Sequence, residues 1–243
     1  MKRLRRPALP AKAVTYLANK QLAVNANPQD ADRIWQVARP TKTIEGVVEI
    51  LRSMFGASAR CFFCNDSRAC DIDHFAPKAT YKTRVFKWTN FLYICAICNR
   101  KKGRLFPVDG SGRPTLINPV KTNPWDHIHF DSTTGLLVPK VLVDGSEDVL
   151  GRSTLYDVLD CLNFEAIAYN RRLYSLRLQR RVSEFIDRPT PYHRQVIEDE
   201  VVGENAFGLA TWFFLYAGQF QEPYVSFRAA HPTVFQEMAD AVR

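Results

Sequence analysis

The pattern of apolar and polar residues predicts helices toward both ends of the chain and short strands between them. Asn27 followed by Pro28 is typical of a helix start, because proline fits the first helical position. Apolar residues then recur at helical spacing after Thr43, which we predict as the N-cap, up to Gly56, where we expect the helix to end. From Ser153 onward the pattern is helical again.

The C-terminal pattern predicts a long helix capped by Asn163, then a buried helix over residues 206–220 and a short helix after Pro232. One side of the long helix is apolar, and the other side is rich in arginine. We predict that the arginine side is a solvated surface, slightly ahead of a surface that binds DNA or a partner. This side carries Arg171, Arg172, Arg177, Arg180 and Arg181. The stretch 206–220 has 15 residues, fewer than the roughly 20 that span a bilayer.

Strand-like pieces lie between these helical regions. Residues 114–119 form one, and residues 127–130 with 136–138 predict a hairpin around Thr134 and Gly135. The sequence therefore predicts an α+β chain that is mainly helical. We divide it into an N-terminal helical region (1–55), a central module (56–106) and a C-terminal region of short strands and then helices (107–243).

Composition excludes a disordered chain, since 46% of the 243 residues are hydrophobic and only 24% are charged. The net charge of +8 favours an anionic partner such as nucleic acid about as well as it favours simple solubility. Residues 1–19 are basic but lack the apolar run of a signal peptide. We therefore expect a flexible basic arm and a cytoplasmic protein without a membrane segment.

The positive charge is concentrated in one window. Residues 75–108 contain eight lysines and arginines and no acidic residue. The net charge of this window is therefore +8, the same as that of the whole chain. Such a surface is expected to bind phosphates in a salt-sensitive way. The eight candidate nucleic-acid-binding residues are Lys78, Lys82, Arg84, Lys87, Arg100, Lys101, Lys102 and Arg104.

Four of the six cysteines form two Cys-x-x-Cys pairs, Cys61 with Cys64 and Cys95 with Cys98. A disulfide framework is typical of small secreted chains, whereas two such pairs are typical of a structural zinc site that holds four thiolates. We therefore predict Zn²⁺ at these residues. The remaining Cys70 and Cys161 are predicted to be small buried apolar side chains.

Asp73 and His74 lie between the two cysteine pairs, and Asn99 follows the second pair directly. Carboxylate and amide oxygens with water are ligands that suit Mg²⁺ or Mn²⁺. Histidine titrates near neutral pH, so His74 can take a proton from an attacking water. A divalent ion would stabilise charge on the leaving oxygen of a phosphodiester.

These motifs resemble the four-cysteine branch of the HNH (ββα-metal) nucleases. The resemblance covers residues 61–103 and implies that His74 is the general base, that Asp73 and Asn99 bind the catalytic metal, and that Asn90 orients the base through the backbone. It also implies a zinc ion that braces the motif and does no chemistry. Gly103 stands where some members carry another metal-binding histidine, which favours Mg²⁺ over a tightly held transition metal.

Other positions leave alternatives open. Asp71 either supports the metal through water or accepts hydrogen bonds, and Lys102 suits either a phosphate contact or a solvated lysine. His127 and His129 alternate on the predicted hairpin, but they lack an evident third ligand, so a structural role is the stronger prediction.

The flanking regions more loosely resemble the HNH subunits of bacterial anti-phage systems of the Septu or retron-associated type. This resemblance implies an ABC-type ATPase partner, and the chain itself contains no phosphate-binding loop for ATP. The leading hypothesis is a metal-dependent HNH endonuclease that cuts DNA. The alternatives are a catalytically silent zinc module that binds DNA or a partner, and a stand-alone restriction-type or toxin nuclease.

Overall fold

Helices dominate the computed structural model, which describes residues 1–55 and 58–243, without the side chain of Glu204. The predicted helix end at Gly56 lies outside the described residues. The helices are α1 (Ala11–Ala26), α2 (Ala31–Ala38), α3 (Lys42–Ser53), α4 (Ala96–Lys102), α5 (Val149–Arg152), α6 (Glu165–Asp187), α7 (Pro191–Glu198), α8 (Leu209–Leu215), α9 (Tyr224–Ala230) and α10 (Pro232–Ala241). None of them is both long and apolar enough to cross a membrane.

Two small antiparallel sheets accompany the helices, which confirms the α+β class. Strand β1 (Asp71–His74) pairs with β2 (Phe91–Ile94), and β3 (Ile128–Phe130) pairs with β4 (Leu137–Pro139). The second pair confirms the predicted hairpin. Its turn needs Gly135, which has φ +82° and lies so close to α6 that a Cβ would stand 2.1 Å from the Ala168 carbonyl oxygen.

The N-terminal residues are not a flexible arm, contrary to our expectation. Met1 and Leu4 are buried in the core, and the Leu4 amide donates a hydrogen bond to the Pro119 carbonyl at 2.8 Å. The Arg6 guanidinium donates to the Phe91 carbonyl at 2.5 Å and lies over the Trp88 ring. The prediction failed because it rested on the basic composition of this segment, which does not show that Met1 and Leu4 pack into the core.

The predicted helix over residues 206–220 is also wrong in detail, although the segment is buried. A 3₁₀ turn at Ala206–Gly208, helix α8 and a second 3₁₀ turn at Ala217–Phe220 replace it. Phe207 and Gly208 have positive φ, which breaks the helix before α8. A continuous apolar run therefore specified burial but not a single helix.

Three further local predictions are corrected. Thr41 is the N-cap residue of α3, and the predicted cap Thr43 lies within the helix. Residues 114–119 form no strand and contribute only an isolated bridge between Pro114 and Val108. Asn163 does not cap α6, whose N-cap residue is Phe164. Instead, the Asn163 side-chain amide exchanges two hydrogen bonds with the backbone of Leu137, at 2.9 and 2.7 Å, so it extends the edge of the β3–β4 hairpin.

The arginine side of α6 is only partly solvated. Arg171 is 1% exposed and donates to the carbonyls of Gly135 and Leu162, both at 2.6 Å. Arg177 pairs with Glu200, and both Arg180 and Arg181 pair with Glu184. The side therefore combines a buried structural arginine with ion pairs inside the chain.

One buried cluster of apolar residues runs through all three segments that the sequence suggests. It includes Leu17 from the first segment, Phe91 from the second and Phe213 from the third. The boundaries after residues 55 and 106 remain predictions. Within this core α3 packs against β2, and α4 packs against the 3₁₀ turn at Asp160–Asn163.

Candidate metal and nucleic-acid site

The central module contains the elements that the motif implies, two antiparallel strands followed by a helix. Asp71 pairs with Ile94 and His74 pairs with Phe91 across β1 and β2. The chain then passes directly into α4, whose N-cap is Cys95. Because side chains alternate along a strand, Asp71 and Asp73 share one face of β1, while Ile72 and His74 share the other.

The four predicted zinc ligands come together in the core. The sulfur atoms of Cys61, Cys64, Cys95 and Cys98 all lie within 4.8 Å of one another, and all four residues are buried. The sulfur atoms of Cys64 and Cys95 lie 3.9 Å apart. Zinc–sulfur bonds of about 2.3 Å in a tetrahedron need sulfur atoms about 3.8 Å apart, so the donor set and its size fit zinc.

Local hydrogen bonds hold each cysteine pair in a tight turn. Asn65, in a left-handed conformation, closes the first pair by donating its backbone N–H and its side-chain amide to the Cys61 carbonyl, at 3.0 and 2.8 Å. In the second pair the Cys98 amide donates to Cys95 Sγ at 3.5 Å. Burial raises the pKa of the Cys61 thiol, because a thiolate is poorly solvated there. A bound cation would offset this cost.

The two remaining cysteines differ from each other. Cys161 is buried, as predicted, and its sulfur lies 4.0 Å from Cys98 Sγ. Cys70 is exposed, which corrects our prediction, since its side chain lies at the end of the loop that leads into β1. Contact with the thiol cluster makes Cys161 a neighbour of the proposed zinc site that spacing along the chain did not reveal.

His74 occupies an aromatic pocket at the end of β1. It is 5% exposed, and the rings of Trp35 and Phe91 meet it edge-on at centroid distances of 4.6 and 5.4 Å. Nε2 lies 2.8 Å from the Val85 carbonyl oxygen. Burial lowers the pKa of His74 to about 4, so the ring is neutral at pH 7. A carbonyl only accepts, so Nε2 carries the proton and Nδ1 keeps a lone pair that can accept a proton.

Asn90 holds the loop that follows His74. Its Oδ1 accepts from the Ala76 amide at 2.8 Å, and its Nδ2 donates to the carbonyls of Ala76 and Arg84 at 3.0 and 2.9 Å. Its own carbonyl accepts from the Phe75 amide at 2.8 Å. Because Asn90 ties the residues after His74 to the residues before β2, it restricts where the imidazole can lie.

Asp73 contacts a lysine that the sequence did not assign to it. Its Oδ2 lies 2.9 Å from Nζ of Lys102, which is fully buried and also donates to the His74 carbonyl at 2.8 Å. Burial raises the pKa of the Asp73 carboxyl, and the ammonium opposes that shift. Lys102 thus differs from the surface phosphate contact that the sequence predicts, because its ammonium is withdrawn from solvent.

The predicted ligands of the catalytic metal fit in chemical type, but Lys102 complicates the set. Asn99 lies on α4, is half-buried, and its side chain makes no hydrogen bond to the described part of the chain. A Mg²⁺ ion at Asp73 would share the carboxylate with the ammonium.

Asp71 is paired with Arg39 at 2.6 Å and also accepts from the Ile72 amide. Asp71 therefore has the hydrogen-bonding role that was one of its two alternatives.

The basic window is partly neutralised by acids from elsewhere in the chain. Lys78 pairs with Asp32, and Lys101 pairs with Asp160 at 2.9 Å. Five of the eight predicted residues form no ion pair with the described residues. They are Lys82, Arg84, Lys87, Arg100 and Arg104. The surface open to phosphates is therefore smaller than the sequence charge indicates.

The two histidines of the second hairpin have structural contacts. His127 Nδ1 lies 3.0 Å from Asp148 Oδ2, and Asp148 also caps α5. The His129 ring packs edge-on against Trp212 at a centroid distance of 5.4 Å. These contacts agree with the structural role that we favoured for both.

Sequence reasoning missed several residues around the site. Trp35 supplies the wall against His74, and Arg6 binds the backbone of β2. Asn118 and Lys121 lie beside the basic residues Arg84 and Lys87 in one cleft. Only the turn-forming Asn118–Pro119 pair gave a local signal, because the other contacts join residues that are distant in the chain.

Comparisons with known proteins give one relevant relative. The chain is 28% identical over 133 residues to the Septu protein PtuB of Bacillus thuringiensis. The match covers 53% of this chain and 46% of that protein, so the similarity spans about half the length of each. No protein-family model matches the chain, and no solved structure matches it.

Proposed function

We propose that this chain is a metal-dependent endonuclease of the HNH type that hydrolyses DNA phosphodiester bonds. The observation that carries the proposal is the state of His74: a neutral imidazole at the end of β1, with Nε2 on the Val85 carbonyl. The preceding residue is a carboxylate, and α4 brings Asn99 after the hairpin, in the order of a ββα-metal motif.

Each residue has a distinct task in this reaction. His74 accepts a proton at Nδ1 from the attacking water, because Nε2–H is engaged with Val85. Asn90 keeps the loop after His74 in place through its three side-chain hydrogen bonds. Asp73 and Asn99 would hold Mg²⁺ or Mn²⁺, which when bound stabilises charge on the scissile phosphate. The four cysteines would hold Zn²⁺ as a structural brace.

The biological setting is part of the same proposal. Similarity to the Septu protein PtuB supports a role in bacterial anti-phage defence, and the resemblance of the flanks implies an ABC-type ATPase as the partner. Co-expression with a candidate ABC-type ATPase tests this setting. A stable complex in gel filtration is expected, and separate elution of the two proteins would contradict the partnership.

One observation favours the alternative of a silent DNA-binding or partner-binding zinc module. The Lys102 ammonium already stands beside the one carboxylate that the motif offers to a metal. The two functions differ in one assay. The purified protein should nick plasmid DNA with Mg²⁺ or Mn²⁺, and EDTA should abolish the nicking. Asp73→Asn should also remove this activity. DNA binding without nicking in any of these conditions would favour the silent module.

A further inference from the structure

We propose that the cleft between residues 83–90 and residues 114–122 binds a phosphate of the DNA strand beside the one that is cut. The inference rests on the proposed nuclease function for its substrate. It adds Asn118 and Lys121, which lie outside the motif, to the surface that holds DNA.

The cleft has a volume of about 630 Å³ and lies next to the loop that follows His74. Phe75 and Asn90 belong to its lining, and the Phe75 amide donates to the Asn90 carbonyl. A strand carries a phosphate about every 3.4 Å along the axis of duplex DNA. A strand whose scissile phosphate faces His74 therefore brings its next phosphates to this cleft.

Positive charge comes to the cleft from both walls. Arg84 and Lys87 line one wall and Lys121 lines the other, and all three are exposed. None of the three forms an ion pair with residues 1–55 or 58–243, and the described lining contains no carboxylate. Lys78, Lys101 and Lys102 of the basic window are paired with acids. Arg84 and Lys87 are not, so their charges remain available to an anion that enters the cleft.

Asn118 adds a neutral hydrogen-bond donor to the cationic lining of the cleft. It is only 4% exposed and lines the cleft. Its Oδ1 accepts from the Val120 amide at 3.2 Å, while its Nδ2 has no hydrogen-bond partner within the described chain. Nδ2 is not fully buried, so it remains available to donate a hydrogen bond to a phosphate oxygen in the cleft.

The turn after Asn118 fixes the position of Lys121. The Asn118 carbonyl accepts from the amides of Lys121 and Thr122 at 2.9 and 2.8 Å, so the lysine and the buried amide belong to one rigid turn. The only aromatic side chain of the described lining is Phe75, which is buried. A base has no exposed ring to stack on, which favours a backbone phosphate over a free nucleotide.

The test measures binding of a fluorescein-labelled DNA duplex to the full chain by anisotropy, without divalent metal, over a range of salt concentrations. Asn118→Asp keeps the acceptor for Val120 and places a carboxylate in the cleft, so affinity should fall about tenfold or more. Lys121→Ala removes one phosphate contact and should lower the slope of log K against log salt by about 0.9. Lys12→Ala, an exposed lysine at the start of α1, is the matched control.

Wild-type affinity and salt slope in both cleft variants would overturn the inference, whether or not the protein cuts DNA. Weaker binding in the cleft variants together with no cutting by the wild-type protein would instead contradict only the nuclease proposal. A free nucleotide, tested as dAMP, should not displace the duplex at concentrations where inorganic phosphate has no effect. Displacement by dAMP alone would contradict the assignment to the DNA backbone.

Discussion

Lys102 Nζ lies 2.9 Å from Asp73 Oδ2, and this ammonium is fully buried between β1 and α4. The pair stands where the HNH resemblance implies a divalent metal. A buried carboxylate that loses its partner is costly, because neither solvent nor another charge compensates it. The pair therefore links the stability of the central module to any divalent ion that would bind at Asp73.

Replacing this lysine should make the module depend on a divalent cation. Lys102→Met is expected to lower the free energy of unfolding by about 3 kcal/mol without metal, and added Mg²⁺ should restore more of the Tm than it does for the wild-type protein. Thermal unfolding with and without Mg²⁺ measures both effects. Lys101→Met, the more exposed neighbour on α4, is the control. Equal Mg²⁺ responses in all three proteins would exclude metal binding at Asp73.

The cysteine cluster should bind one zinc ion per chain. Cys95→Ser removes a ligand that is also the N-cap of α4, so zinc content and Tm should both fall. Cys70→Ser changes an exposed thiol outside the cluster and should leave both unchanged. Elemental analysis of the purified proteins gives the metal content. A wild-type protein without zinc that still melts cooperatively would contradict the structural zinc site.

His74 should make the fold sensitive to acid. Burial lowers its pKa from the usual 6.5 to about 4 in the folded chain, so between these values the unfolded state binds the proton and the folded state does not. Stability should therefore fall as pH decreases from 6.5 toward 4. From pH 7 to pH 4.5, His74→Gln should lose about 2 kcal/mol less than the wild-type protein.

Urea unfolding at the two pH values, in buffer without Mg²⁺, measures this difference. Each protein is compared with itself, so the direct effect of the substitution cancels. The same pH dependence in the two proteins would show that the His74 ring is accessible to protons in the folded state, contrary to its burial.

The Arg171 guanidinium should hold the long helix α6 to the second hairpin. Arg171→Met leaves the carbonyls of Gly135 and Leu162 without their charged donors, and we expect a loss of about 3 kcal/mol of stability. Arg172→Met changes the neighbouring exposed arginine and should cost far less. Denaturant unfolding of both variants measures the contrast, and equal stabilities would contradict the structural role of Arg171.

The sequence predicted local features of this fold well. The β3–β4 hairpin follows from alternation around a turn glycine, and the four cysteines meet because each pair lies in one tight turn. The helix start at Pro28 and the helix after Pro232 follow equally from short-range signals. Neighbouring residues decide the turns, the helix starts and each cysteine pair, whereas the meeting of the two cysteine pairs joins residues 31 positions apart.

Where the structure differs from the sequence predictions, contacts between residues distant in the chain are the cause. Asparagine is a common N-cap residue, but Asn163 is hydrogen-bonded to Leu137 instead. Arginine is usually a surface residue, but Arg171 lies in the core. The pairing of Lys102 with Asp73 and the meeting of Asn118 with Arg84 join residues that no periodicity relates. Charge summed along the basic window likewise could not include Asp32 and Asp160, which neutralise part of it.

The rate of DNA cleavage by His74→Ala tests the central proposal most directly. Plasmid nicking is measured with Mg²⁺ for the wild-type protein and the variant, with an anisotropy measurement showing that both bind DNA equally. Loss of a general base is expected to slow cleavage by about 10²-fold or more, while binding and zinc content stay unchanged. Cleavage by His74→Ala at the wild-type rate would contradict the account.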